Sequence, residues 1–212
     1  MTFHQALLTW LAVLAQGTRR LYESHAFARP STSTMWVGHW LLGLAFYAGL
    51  SLAVWIEALP ALQTHSPALL DFSIQAPSPR TFLSLAFFLF ASGIQHDCHA
   101  YLASLKTSPS NPTSTATTSK TASPPTSYKL PSHPAFHLTL TPHYLAETVI
   151  YLSIAFLAAP PPNAWLNGTL ACALLFVAVN LGVTAHGTHE WYEAKFGRAA
   201  LEGRWRMVPF VF

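Results

Sequence analysis

The chain has 212 residues, 51% hydrophobic and only 9% charged, with a formal net charge of +3. A soluble domain carries roughly 25% charged residues, so composition excludes an ordinary cytosolic globule and leaves the membrane class. Eleven Lys and Arg against eight Asp and Glu make no basic surface, and no nucleic-acid partner is inferred.

Five apolar stretches follow one another. Residues 3–16 are short but unbroken by charge, and residues 36–56 hold only His39 as a titratable group. Residues 82–95 continue through His96-Asp97-Cys98-His99 to Leu105. Residues 144–159 contain Glu147, and residues 165–185 carry no charge. A spanning helix needs about 20 mostly apolar residues, with about 17 tolerable. The pattern predicts an all-α integral membrane protein, a multi-helix transmembrane bundle with helices near 3–18, 35–57, 81–105, 143–160 and 164–192.

The basic residues test that count. With five spans, Arg19, Arg20, Arg29, Lys106, Lys120, Lys129, Lys195, Arg198, Arg204 and Arg206 fall on one side, and Arg80 alone on the other. Positive charge collects on the cytoplasmic face, which predicts a lumenal N-terminus and a cytoplasmic C-terminus. Stretch 3–16 has no basic segment before it and arginines after it, so it reads as an anchor and not as a cleavable signal. Cys98 and Cys172 both fall in predicted helices and suggest no disulfide framework. Asn167-Gly168-Thr169 matches a glycosylation sequon at the lumenal membrane edge, while proline excludes Asn111-Pro112-Thr113.

Residues 107–127 consist of Ser, Thr, Pro, Asn, Ala and Lys, with no large apolar side chain to offset the entropy of ordering. They are expected to form a disordered cytoplasmic loop. The predicted organisation is three membrane helices with their loops over 1–106, this loop, and a C-terminal core over 128–212 with two helices and a cytoplasmic tail. The tail ends Met207-Val-Pro-Phe-Val-Phe212, and an apolar terminus after basic residues predicts docking on the bundle or the interface.

Polar groups gather at the cytoplasmic ends of the helices. Gln95, His96, Asp97 and His99 close the third. His143 and Glu147, four apart and hence on one face, open the fourth. His186, His189, Glu190, Tyr192 and Glu193 close the fifth. An ionised carboxylate in an apolar helix is costly unless paired or facing a wet cavity, so Glu147 marks a polar site; a structural pair with Lys129 or His143 is the plain alternative. Arg and Lys donors suit phosphates, and a carboxamide or ribose hydroxyl suits Glu147 and the histidines. A nicotinamide dinucleotide meets those requirements, yet no Gly-x-Gly-x-x-Gly follows a strand, so a helical bundle and not a Rossmann domain would hold it. His96/His99 and His186/His189 also invite a metal reading, but the boxes are sparser than membrane di-iron enzymes need, and no metal is inferred.

Several motifs carry a resemblance. Tyr128-Lys129-Leu130-Pro131, Pro142-His143-Tyr144-Leu145-Ala146-Glu147 with Ile150-Tyr151, His189-x-x-Tyr192-x-x-x-Phe196 and Arg204-x-x-x-x-Pro209-Phe210-x-Phe212 resemble the core of the steroid 5α-reductase family. Arg19-Arg20-Leu21-Tyr22-Glu23 and Cys98-His99-x-x-Leu102-x-x-Leu105-Lys106 are similar to its polyprenol (polyprenal) reductase branch. The resemblance implies a seven-helix membrane fold of the endoplasmic reticulum, of which this chain holds the last five helices. It implies NADPH as cofactor and a polyisoprenoid lipid as substrate, reduced at its α-isoprene double bond in dolichol biosynthesis; membrane lipid surrounds it and no obligate protein partner is inferred. By position, the family's cofactor contacts fall on Gln95, His99, Lys106, Tyr128, Lys129, His143, Glu147, Tyr192 and Arg204. Gln95 and His143 stand where steroid reductases have asparagine.

Two departures accompany it. The chain begins at the family's third helix, so the part that supplies a substrate-binding carboxylate in steroid reductases is expected to lie outside it. In the tail, Ala199-Ala200 replace a Tyr-Pro pair. For a conjugated aldehyde, hydride adds at the β-carbon while charge grows on oxygen, so a donor near the carbonyl is needed. Tyr22 and Arg19, at the end of the first helix, are the catalytic candidates. The competing readings are another membrane enzyme of this kind, such as a steroid or enoyl reductase or a methyltransferase, and an inactive remnant.

Overall fold

A computed structural model of the chain describes residues 1–28, 36–64, 66, 76–105, 129–160 and 164–212. Five long helices stand where the sequence predicts them: α1 (Phe3–Ala26), α2 (Val37–Thr64), α3 (Pro79–Leu105), α5 (Pro142–Leu157) and α6 (Gly168–Phe196). A short α4 (Ala135–Leu138) and a 3₁₀ turn (Arg198–Leu201) were not anticipated. No strand forms among the described residues; an isolated bridge joins Thr139 to Trp205. The predicted loop over 107–127 lies outside the described residues, as do Lys106 and Tyr128.

Helix boundaries differ from expectation at several ends, most at the C-terminal ends of α1 and α2. α1 starts on a capping box, Thr2 Oγ1 accepting from the Gln5 amide and Gln5 Oε1 from the Thr2 amide. It runs to Ala26, well past the apolar stretch, because Arg19 and Arg20 pair with Glu23 at helical spacing. α2 continues to Thr64 through Pro60. α6 reaches Phe196 and stops where Gly197 takes φ 82°, a conformation glycine adopts without strain.

α5 is the centre of the molecule. It packs most extensively on α3, then on α6, and buries Ala146, Ile150, Tyr151, Ile154, Ala155 and Ala158. Ala12 and Val13 of α1, Leu50 and Val54 of α2, Phe88 and Ala91 of α3, and Leu170 and Val177 of α6 complete that core. Small residues on the facing surfaces let the backbones approach closely.

The outside is as apolar as the inside. Trp40, Leu41, Leu52 and Ile56 of α2, Phe82, Phe87, Leu89 and Phe90 of α3, and Leu175, Val179 and Val183 of α6 are all exposed. A surface of this kind does not belong in water. Two helices, α2 and α6, are individually long and apolar enough to cross a membrane.

Polar contacts identify the two ends of the bundle. At one end Gln5 Nε2 donates to the carbonyls of Leu157 and Ala159, at 3.3 and 3.2 Å. Arg80 donates to the carbonyls of Ala159 and Ala164, at 2.9 and 3.1 Å, and lies over the Phe156 ring. There too, Glu57 of α2 accepts from Asn167 Nδ2 and from the Thr169 hydroxyl. The starts of α1, α3 and α6 and the ends of α2 and α5 therefore meet, and successive long helices alternate in direction.

At the opposite end the C-terminal tail docks on the bundle through Trp205, Arg206 and Met207, while Phe210 and Val211 of its apolar terminus stay exposed. The Trp205 amide donates to Leu138 O and the Leu140 amide to Trp205 O, at 2.9 and 2.8 Å. Thr141 Oγ1 donates to Arg206 O at 2.7 Å, and Met207 is buried. The tail thus braces the entry into α5, directly ahead of His143 and Glu147.

Candidate functional site

Two residues four apart on α3, Gln95 and His99, face two residues four apart on α5, His143 and Glu147. Gln95 Nε2 donates to Glu147 Oε2 at 2.8 Å. One turn along, the rings of His99 and His143 meet edge to face with centroids 5.4 Å apart. Both helices present an i, i+4 pair, and their antiparallel course matches the pairs rung by rung. Glu147 therefore bonds Gln95, and not Lys129 or His143 as a purely structural reading of the sequence allowed. Lys129 is exposed.

α1 supplies the third wall. Arg19 Nη2 donates to Gln95 Oε1 and, at 2.8 Å, to Gln16 Oε1. Glu23, 3% exposed, accepts Arg19 Nη1 and His96 Nδ1 on one oxygen, and Arg20 Nη1 and His99 Nδ1 on the other. An ionised carboxylate only accepts, so His96 meets it with hydrogen on Nδ1. The sequence put Arg19, Arg20 and Glu23 in one motif but assigned only Arg19 of these three to the site, and it passed over Gln16. Arg20 also lies against the His99 ring, 2.9 Å from Nδ1. Two arginines and two carboxylates balance within this block, which is how buried charge is tolerated.

Some buried polar atoms have no hydrogen-bond partner among the described residues: His143 Nδ1 and Gln16 Nε2 in the block, and Thr9 Oγ1 and Ser92 Oγ elsewhere on α1 and α3. Buried polar groups are rarely left unpaired, so atoms of this kind beside Glu147 fit a site made to receive a polar ligand.

The other sequence-derived residues lie outside the block. Tyr192 of α6 packs against Phe196, ring centroids 5.8 Å apart. Arg204 Nη1 donates to Pro131 O at 3.0 Å, tying the tail to the segment after Lys129. Tyr22 is 64% exposed on the side of α1 away from Glu23 and is not brought to the block. An open cavity of about 810 Å³ lies where α6 meets the tail, lined by His189, Glu193, Arg198, Ala199, Leu201, Glu202 and Arg206. Neither Glu147 nor its α3 and α1 partners line it. One residue of the Ala199-Ala200 departure thus contributes to its wall.

Asn167 of the sequon is 1% exposed. Its Oδ1 accepts from the Leu170 amide as the N-cap of α6, and its Nδ2 donates to Glu57.

An apolar-coated helical bundle with a charged block held between three helices fits a membrane protein better than a soluble domain. Comparison with known proteins narrows this. The family described as 3-oxo-5-alpha-steroid 4-dehydrogenase matches residues 74–212. The chain belongs to that family, in agreement with the resemblance carried by its motifs. It is 28% identical to polyprenal reductase of Drosophila melanogaster over 199 residues, 92% of this chain and 55% of that protein. It is 28% identical to polyprenal reductase of Danio rerio over 207 residues, 97% of this chain and 59% of that protein. Polyprenal reductase 2 of Oryza sativa subsp. indica is 25% identical over 223 residues, 95% of this chain and 57% of that protein. The chain thus spans little more than half the length of these curated relatives. No solved structure matches.

Proposed function

We propose that the chain forms the cofactor-binding part of a membrane reductase that uses NADPH to saturate the α-isoprene double bond of polyprenal, a step toward dolichol. The observation that carries this reading is the Gln95–Glu147 bond inside the Arg19–Glu23–His99 block, flanked by the unpartnered His143 Nδ1. Relatives named polyprenal reductase over almost the whole chain support the substrate class.

The residues fit such a cofactor. Glu147 and His143 offer an acceptor and a ring nitrogen to a carboxamide or hydroxyl. Arg198 and Arg206, whose guanidinium groups suit phosphate, line a cavity within the size range of small-molecule sites together with His189, Glu193 and Glu202. Tyr192, Arg204, His99 and Lys129, with Lys106 and Tyr128, complete the set implied by the family. Bound there, NADPH supplies the hydride. The protein's share is to hold Glu147 in one orientation, keep water out of the three-helix wall, and hold the polar ligand at the depth where a lipid aldehyde arrives. Arg19 is the better placed of the two candidate carbonyl donors, since Tyr22 points away.

A five-helix membrane bundle of the endoplasmic reticulum, N-terminus lumenal and C-terminus cytoplasmic, is part of the reading. Its supports are the apolar exterior, the alternating helix directions and the gathering of Arg19, Arg20, Lys129, Arg204 and Arg206, among the described residues, at the end that bears Glu147. The exception, Arg80, is occupied with the Ala159 and Ala164 carbonyls.

The test is conversion of polyprenal to dolichal by membranes containing the protein, with and without NADPH. NADPH-dependent conversion, strongly impaired by Glu147→Gln at unchanged expression, is the expected result. Conversion independent of NADPH, or full activity in that variant, overturns the assignment.

A further inference from the structure

The Glu23 carboxylate is saturated by its own chain. A carboxylate offers about four lone-pair sites, and four side-chain nitrogens of the chain lie within hydrogen-bond distance of them: Arg19 and His96 at Oε1, Arg20 and His99 at Oε2. With 3% exposure and no capacity left, it is not a group that touches a ligand. Its effect must pass through the side chains it holds.

One of those leads directly to Glu147. Arg19 uses Nη1 on Glu23 and Nη2 on Gln95 Oε1. An arginine has no acceptor, so Gln95 must turn its oxygen toward Arg19 and its NH₂ toward Glu147, as observed. Without Arg19 fixed in place, the amide would lose the anchor on its oxygen and could swing away from the position in which its NH₂ meets Glu147. We infer that Glu23 is the positioning residue of the site, locking the Gln95 amide through Arg19 so that its NH₂ orients Glu147. The relay crosses three helices in order: Glu23 and Arg19 on α1, Gln95 on α3, Glu147 on α5. It rests on the reading of Glu147 as a cofactor contact.

The relay makes a claim about coupling that a merely structural Glu23 would not satisfy. NADPH affinity is measured by tryptophan fluorescence on the purified chain in detergent, for Glu23→Gln, Gln95→Leu and the double variant. Glu23→Gln is expected to weaken NADPH about tenfold where Gln95 is present, and less than about twofold where it is already leucine. Equal losses in both backgrounds, or unchanged affinity in Glu23→Gln, overturn the inference. Should Glu23→Gln fail to fold, Arg19→Lys replaces it in the same cycle, since an ammonium keeps the charge but lacks the planar fork that joins Glu23 to Gln95. A wild-type chain that binds no NADPH is a different failure: it overturns the cofactor reading itself, and this inference falls with it.

Discussion

Gln95 and Glu147 meet across the α3–α5 interface at 2.8 Å, with the amide oxygen of Gln95 already taken by Arg19. The Glu147 carboxylate is thereby oriented by a neutral donor that is itself oriented by a cation. This arrangement separates what Glu147 contributes to folding from what it contributes to a ligand.

Glu147→Gln keeps an oxygen for Gln95 Nε2 to donate to, so the bundle keeps its rung. Glu147→Leu leaves that buried donor without its acceptor, at a cost of about 1–3 kcal/mol for a buried unsatisfied group. Thermal unfolding in detergent should therefore show Gln close to wild type and Leu clearly lower, while both lose NADPH binding. A large drop in the unfolding midpoint of the Gln variant would mean that the charge, and not the hydrogen bond, holds α3 to α5.

The i, i+4 pair His143/Glu147 and the polar end of α3 are legible in the sequence because helical periodicity alone puts each pair on one face. Their partnership follows from two antiparallel helices in contact, which a short connection after the loop makes natural. Glu23 is different. Next to Arg19 and Arg20, just beyond an apolar run, it looks like part of a topology anchor at the membrane surface. Its burial depends on α1 continuing to Ala26 and on α3 lying across it, a tertiary fact that no spacing within α1 encodes. The Arg19–Glu23 and Arg20–Glu23 spacings were the available signal, and they argue for continuing the helix. The short α4 was missed because four residues between Pro134 and Thr139 leave no period to read.

Tyr22 and Arg19 both come from the sequence as candidates for the carbonyl donor, yet helical geometry divides them. Arg19 sits in the block; Tyr22, adjacent to buried Glu23, is turned outward and 64% exposed. Tyr22→Phe should leave turnover within about twofold of wild type, an exposed hydroxyl having little to lose on removal. A tenfold fall in kcat with unchanged KM for NADPH would return Tyr22 to the reaction.

Arg80 breaks the charge asymmetry of the chain and has a structural reason to do so. It closes the exposed carbonyls at the end of α5 and the turn toward α6, alongside Gln5 from α1. Charge-assisted hydrogen bonds are worth about 1.5–3 kcal/mol each. Arg80→Ala should accordingly lower the unfolding midpoint by an amount equivalent to about 2 kcal/mol or more, while molecules that remain folded bind NADPH normally, because the site is at the other end. Weaker cofactor binding without a change in midpoint would contradict this division of labour.

The sequon at Asn167 should be silent in the folded protein. Transfer of a glycan to Asn167 Nδ2 requires that nitrogen to be accessible, whereas it is buried and donates to Glu57 at 3.3 Å. The same side chain caps α6 through Oδ1, and Thr169, the third residue of the motif, gives its hydroxyl to the same Glu57. A glycan there would remove a donor, expose the first turn of α6 and separate it from α2. Endoglycosidase treatment should leave the mobility of the expressed protein unchanged. Asn167→Ala should cost about 1 kcal/mol through loss of the cap, measured by thermal unfolding. A mobility shift in the folded, NADPH-binding fraction would show that the α2–α6 contact opens far enough to admit the modification, and would detach Glu57 from the role assigned to it.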